Sequence, residues 1–176
     1  VSCMSVLTGF KFIGEKIKEF EQTGSHGFIL GYEESYGYLP GTYARDKDAV
    51  ATSLLIAEMA AYYKSQGKTL YSVLMEMYEK YGYYKELGIS NVVKGIDPMK
   101  TMREKMATLR ADALREIDGV EVLRIRDYKT GEITNLKDHS VSSTNLPSSD
   151  VLYYELADGS TYIIRPSGTE PKIKVY

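Results

Sequence analysis

The sequence predicts an α/β part followed by an α+β part with an antiparallel sheet and covering helices. Three observations lead there. Up to about Gly82, helical apolar spacing alternates with one short β-like run, the pattern of an α/β unit. Beyond it, β-like runs dominate. Among these, Asp158-Gly159 sits between Val151–Leu156 and Ser160–Ile164, a strong hairpin signal. The chain is therefore divided into residues 1–81 and residues 82–176.

In the first part, Phe10, Ile13, Ile17 and Phe20 recur at helical spacing and Gly24 closes the helix. Gly27–Leu30 reads as a short buried strand. A loop rich in glycine and tyrosine runs from Gly31 to about Arg45. Asp46 or Asp48 then caps a helix reaching about Ser65. That helix is apolar on most faces (Val50, Leu54, Leu55, Ile56, Met59), which predicts burial. Another helix runs from about Thr69 to Tyr81 on the stripe Leu70, Val73, Leu74, Met77, Tyr78 and Tyr81. Tyr62, Tyr63, Tyr78 and Tyr81 are read as packing residues.

In the second part, Leu87–Lys94 reads as a strand. Asp97-Pro98 opens a helix to about Glu116, striped by Met99, Met102, Met106, Leu109 and Ala113. Val120–Arg126 reads as a strand and Thr130-Gly131 as a turn. Residues 138–150 are polar, serine-rich and read as a loop. Two β-like runs, Thr161–Ile164 and Ile173–Tyr176, close the chain.

Composition bounds the function. The chain has 176 residues, 43% apolar, with a net charge of −2 and both signs mixed along it. That supports a packed core and argues against nucleic-acid and membrane partners. Cys3 is the single cysteine, and no signal peptide or apolar run of membrane-spanning length is present, which predicts a cytoplasmic protein. His26 and His139 have no ligand-spaced partners, and there is no Walker loop, dinucleotide fingerprint or Asp-rich metal loop. The first residue is Val1 and the last, Tyr176, falls inside a β-like run, so the sequence is read as part of a longer chain.

Four segments carry chemistry. Arg165-Pro166-Ser167-Gly168-Thr169-Glu170-Pro171-Lys172 lies between β-like runs and combines a guanidinium, hydroxyls, a glycine and a lysine. Arginine's fork of donors matches phosphate oxygens, hydroxyls donate, and glycine lets backbone N–H groups approach a ligand. The composition is that of an anion cradle or of a polar turn. Gly31-Tyr32-Glu33-Glu34-Ser35-Tyr36-Gly37 sets carboxylates beside a hydroxyl after a strand, which suits sugar hydroxyls or simple solvation. Ala44-Arg45-Asp46-Lys47-Asp48 precedes a helix, where Arg45 or Lys47 adds positive charge to an anion site or belongs to a charged cap. Thr8-Gly9-Phe10-Lys11 starts the first helix and is weak alone.

Together, Gly-Tyr-Glu-Glu-Ser-Tyr-Gly, Arg-Asp-Lys-Asp and Arg-Pro-Ser-Gly-Thr-Glu-Pro-Lys resemble the C-terminal half of an α-D-phosphohexomutase, in its bacterial phosphoglucomutase and phosphomannomutase branch. The resemblance covers nearly the whole chain. It implies the later part of a third, mixed-sheet α/β domain over residues 1–81, then a fourth, phosphate-binding domain over residues 82–176 that continues past the sequence given. It further implies interconversion of hexose 1-phosphate and hexose 6-phosphate, with the phosphoglucomutase reaction preferred over that of a phosphomannomutase. The phosphoserine, the Mg2+ loop and the turnover of glucose 1,6-bisphosphate would be supplied by N-terminal domains of the same chain, and the isolated fragment would be inactive. By motif, Glu33 and Ser35 resemble the pair that reads the sugar hydroxyls O3 and O4, and Thr8 and Gly9 the Thr-Gly loop. Arg165, Ser167, Gly168 and Thr169 resemble the clamp on the non-reacting phosphate. Lys47 matches a substrate-contacting lysine with a proton-transfer role, beside Asp46 where some relatives have Glu. A stand-alone, non-catalytic phosphosugar-binding module is the competing expectation.

Overall fold

The computed structural model describes residues 1–176. The chain forms two compact units, Val1–Tyr84 and Lys85–Tyr176.

In the first unit, helix α1 spans Phe10–Thr23 and stops where Gly24 turns left-handed at φ 64°, its N–H donating to the Phe20 carbonyl. Phe10 and Ile17 of α1 are buried with Leu39, and Ile13, Phe28 and Ala44 pack around them. Leu39 belongs to a two-stranded antiparallel hairpin, β1 (Gly31–Tyr32) and β2 (Tyr38–Leu39). Gly31 is forced by packing: a Cβ there would stand 2.6 Å from Ile13 Cγ2, so β1 lies directly against α1. Helix α2 (Ala49–Ser65) starts at Asp48, whose carboxylate accepts from the Val50 and Ala51 N–H groups. Helix α3 (Leu70–Tyr81) starts with a capping box between Thr69 and Ser72.

Three expectations fail in this unit. Residues 27–30 form no strand, and Ile29 is 66% exposed. A strand needs a hydrogen-bonded neighbour, and this segment has none. Helix α2 is not buried: it contains no buried residue, and Val50 and Leu54 are 81% and 63% exposed. Its apolar side chains point all round, while this unit offers only β2 and α3 as neighbours, too little to cover every face. The packing expected of the helical tyrosines holds only for Tyr63 and Tyr78, which are half-buried. Tyr62 and Tyr81 are exposed, Tyr62 meets only the edge of Tyr63 among rings, and Tyr78 stacks on Tyr83 at 4.8 Å.

The second unit is an antiparallel sheet with one helix on it. Its strands are β3 (Ile89–Val92), β4 (Glu116–Ile117), β5 (Val120–Asp127), β6 (Glu132–Asn135), β7 (Val141–Ser143), β8 (Leu152–Leu156), β9 (Thr161–Pro166) and β10 (Lys172–Val175). The order is β3-β10-β9-β8-β5-β6-β7, with β4 paired to β5. Helix α4 (Pro98–Ala111) begins at Asp97, which caps the Lys100 N–H, with proline at the start. Met102 and Met106 of α4 press on Val122, Leu152, Tyr154, Leu156, Ile164 and Ile173. The alternation of β8 is plain: Leu152, Tyr154 and Leu156 are buried while Tyr153 and Glu155 face the other way. A bulge between Val122 and Arg124 adds one residue to β5, which keeps Val122 and Ile125 on the same buried face.

Two boundaries differ from expectation. Helix α4 ends at Ala111, not near Glu116, because Glu116 and Ile117 pair with Glu121 and Val120. Asp118 and Gly119 form the two-residue turn, both with positive φ (51° and 79°). Residues 138–150 are not wholly loop, since Val141–Ser143 pair with β6 as an edge strand.

Candidate functional site

In the first unit, three segments converge. The Thr8-Gly9 turn delivers Phe10 to the start of α1. The five residues between β1 and β2 close with the Glu33 N–H donating to the Gly37 carbonyl at 2.9 Å. The Asp48 N–H donates to the Tyr38 carbonyl, which ties the 44–48 segment to the same hairpin. As a result the Lys47 ammonium stands 3.7 Å from Glu33 Oε2 and 5.7 Å from the centre of the Phe10 ring.

The Glu33 side chain is only 10% exposed, whereas Lys47 is 54% exposed. Their separation is an ion-pair distance and too long for a hydrogen bond. The lone pairs of Glu33 thus remain available to hydroxyl donors, while the ammonium gives one of its three donors to Asp46 Oδ1 at 3.3 Å. Thr8, Gly9 and Glu33 line one cleft of about 640 Å3, a volume ordinary for small-molecule sites. Ser35 lies exposed at the hairpin tip, outside that lining.

The charges of the 44–48 segment decide between its two readings. Arg45 does not add free positive charge to the α2 N-terminus. Its guanidinium forks onto both carboxylate oxygens of Glu21 (2.7 and 2.6 Å) and donates to the Thr42 and Ala44 carbonyls. The α2 N-terminus is occupied by the Asp48 carboxylate, so a charged cap describes that segment. The Ala51 N–H, then the Tyr43 hydroxyl, hold Asp48 below the usual carboxylate range. Asp46 is likewise lowered, first by the Lys47 N–H and then by its side chain. Lys47 is the cation left facing Glu33.

In the second unit, Arg165 lies on β9, and Ser167, Gly168 and Thr169 form the turn into β10. The turn closes with the Ser167 N–H donating to the Lys172 carbonyl at 2.8 Å. The Thr169 and Glu170 N–H groups converge on Ser167 Oγ at 3.4 and 3.2 Å. They aim at one point, as donors in an anion-binding turn do. Arg165 is partly buried and has no carboxylate partner, whereas Arg45, Arg110, Arg124 and Arg126 are all ion-paired.

Lys172, counted among the cations of this loop, is not free: its ammonium pairs with Glu170 at 2.5 Å. The cation missed from the sequence is Lys174. It is the register partner of Arg165 across β9 and β10, on the same face of the sheet. The alternation of β10 puts Lys174 opposite the buried Ile173 and Val175, but register with β9 is a tertiary fact.

No three His, Cys, Asp or Glu side chains come together to hold a metal ion. The residues present do not fit a Mg2+ site. No helix is long and apolar enough to cross a membrane.

This pairing of a sheltered acid–lysine site with a donor-lined turn is accompanied by clear kinship. Residues 1–81 match the family model described as phosphoglucomutase/phosphomannomutase, alpha/beta/alpha domain III. Beyond that stretch, the chain is similar to phosphoglucomutases, members of the phosphohexomutase family, along its entire length.

The relatives it resembles within that family are phosphoglucomutases. It is 38% identical over all 176 residues to the phosphoglucomutase of Staphylococcus aureus strain bovine RF122 / ET3-1, and covers 31% of that protein. The same figures hold for strain USA300. The chain thus spans about a third of the length of these relatives. Among solved structures, it is similar to the open form of the exocytosis-sensitive phosphoprotein pp63/parafusin, a phosphoglucomutase from Paramecium. The TM-score is 0.56 at 20% identity, covering 96% of this chain and 27% of that one, a likeness of fold.

Proposed function

We propose that this chain is the sugar- and phosphate-binding part of a phosphoglucomutase, a cytoplasmic enzyme that interconverts glucose 1-phosphate and glucose 6-phosphate. The observation that carries the reading is Arg165. It is a partly buried arginine without an acidic partner, next to two backbone N–H groups converging on one point, in a chain 38% identical to phosphoglucomutases. A guanidinium without a carboxylate beside a donor-lined turn suits a phosphate.

The division of labour follows the chemistry of each unit. Glu33 accepts hydrogen bonds from sugar hydroxyls, with Ser35 as a further hydroxyl at the hairpin tip and Thr8-Gly9 on the cleft wall. Lys47 contacts the substrate and can move a proton. Arg165, Ser167, Gly168 and Thr169 grip the phosphate that does not react, with Lys174 adding charge. Residues 82–176 correspond to the phosphate-binding fourth domain of the family, and residues 1–81 to part of the third. Phosphoryl transfer depends mainly on positioning and charge stabilisation, and these residues supply positioning. The phosphoserine, the Mg2+ ligands and the turnover of glucose 1,6-bisphosphate belong to the remainder of the full-length enzyme. The isolated chain is therefore inactive. The uncovered apolar surface of α2 supports a place inside a larger domain.

The test uses the full-length protein with Glu33→Gln and a series of glucose 1-phosphate analogues lacking single hydroxyls. The expected result is that wild type discriminates against the 3-deoxy and 4-deoxy compounds and that Glu33→Gln loses that discrimination. Unchanged discrimination would remove Glu33 from sugar recognition.

A further inference from the structure

We infer that Gly37 is a positioning residue of the sugar site, required because its missing side chain leaves the space in which the Lys47 stem lies against Glu33. The inference rests on the reading of Glu33 and Lys47 given above.

Gly37 is not there to serve the backbone. In the turn between β1 and β2 the left-handed residue is Tyr36, at φ 63°. That is where backbone sterics would favour a glycine. The sequence places a tyrosine at that position and the glycine one residue later, where φ lies outside the left-handed region. Backbone conformation therefore does not explain Gly37.

Space does. A Cβ built on Gly37 would stand 2.7 Å from Lys47 Cδ, 3.2 Å from Glu33 Oε2 and 3.4 Å from Lys47 Cβ. The first distance is one that real Cβ atoms do not tolerate. All three atoms belong to the two residues of the ion pair. Gly37 is itself buried, so a new methyl group has no way out to solvent. The Lys47 stem crosses the face of Gly37 on its way to the carboxylate, and the ammonium ends 3.7 Å from Glu33 Oε2. Any side chain at position 37 must lift that stem. The stem is flexible and its ammonium half exposed, so it can swing to solvent instead of unfolding the hairpin. Alanine at 37 thus costs the ligand its lysine and leaves the fold standing.

Other glycines set the contrast. Gly31 is hemmed in by Ile13 and Phe28, apolar groups packed against the core of this unit. Gly168, in the phosphate turn, would meet nothing within 4 Å. Gly37 alone is closed off by the Glu33–Lys47 pair.

The experiment is a double-mutant cycle in the full-length protein, with Gly37→Ala, Lys47→Ala and both together. Glucose 1-phosphate affinity is read by calorimetry and folding by the thermal midpoint. Each single variant is expected to weaken binding about tenfold, the scale of one charge-assisted contact. The double variant is expected to be no worse than either within about twofold, because both remove the same lysine contact. The double variant should also regain any thermal stability that Gly37→Ala loses, since removing the lysine stem relieves the clash. Multiplication of the two losses to about a hundredfold would overturn the inference, as would a Gly37→Ala protein that binds like wild type. If Gly37→Ala fails to fold and the double variant fails equally, the crowding is not with Lys47 and the inference falls. If Lys47→Ala folds and binds normally, the reading of Lys47 as a substrate contact fails first. That outcome is distinguishable because it involves no change at position 37.

Discussion

Arg165 on β9 and Lys174 on β10 are register partners in the antiparallel sheet, two cations side by side on the face opposite the core. Like charges placed directly across a strand pair destabilise a sheet. Arg165 has no carboxylate to relieve that repulsion, since the nearest acid of the turn, Glu170, is taken by Lys172. A bound phosphate would relieve it.

This relationship predicts a graded loss. In the full-length enzyme, Arg165→Ala removes a bidentate donor and Lys174→Ala a point charge. Calorimetry with glucose 6-phosphate should show a loss of about ten- to a hundredfold for the first, from charge-assisted bonds. The second should cost about two- to tenfold, with the larger share of its effect vanishing in high salt.

The Asp48 cap predicts an acid-dependent stability. Its carboxylate lies below the usual range because the Ala51 N–H and the Tyr43 hydroxyl bond the charged form. A lowered folded pKa contributes stability that is complete above the unfolded value, near pH 4, and is lost as pH falls through the folded one. Asp48→Ala should therefore lower the urea midpoint at pH 7, and the difference from wild type should shrink toward pH 2. A constant difference across that range would show that the charge of the cap plays no part.

Tyr154 gives a prediction of the opposite sign. Its ring is 0% exposed and its hydroxyl has no hydrogen-bond partner. Burial first, opposed by Arg110 and aided by Asp127 and Tyr162, pushes its pKa from 10.0 up to about 12. A raised pKa means stability that is complete below pH 10 and lost as pH rises toward 12. Tyr154→Phe removes a buried polar group that bonds nothing, so urea unfolding at pH 7 should show it unchanged or more stable by about 1–3 kcal/mol. It should also lose less stability than wild type between pH 10 and pH 12. A destabilised Phe variant would mean that the hydroxyl does have a partner in solution.

The core of the second unit rests on α4. Met106 is 1% exposed and sits among Val122, Leu152 and Tyr154. Met106→Ala should cost about 2–5 kcal/mol by urea unfolding, the range for an aliphatic truncation that leaves a cavity.

Local signals were legible in the sequence where the structure they set is local. Gly24, Asp97-Pro98 and Asp158-Gly159 end a helix, begin a helix and turn a hairpin where expected. Asp118-Gly119 is a dipeptide of the same kind as Asp158-Gly159, and the turn it forms ends the region that the apolar stripe through Ala113 would extend as helix. What was not legible depends on neighbours. The apolar faces of α2 do not say what covers them, and Gly27–Leu30 has strand composition but no strand beside it. At the candidate site, Glu33, Lys47 and Arg165 are proposed from motifs and the resemblance those motifs carry. The commitment of Arg45 to Glu21 and of Lys172 to Glu170, and the approach of Lys174 to Arg165, are products of packing and register.

The most direct test of the central claim is the affinity of the full-length Arg165→Ala enzyme for glucose 6-phosphate, measured by calorimetry beside Arg165→Lys and wild type. The account predicts at least a tenfold loss for alanine, partial recovery with lysine, and a thermal midpoint in the absence of ligand no lower than that of wild type. An Arg165→Ala enzyme that folds and binds within twofold of wild type would contradict it.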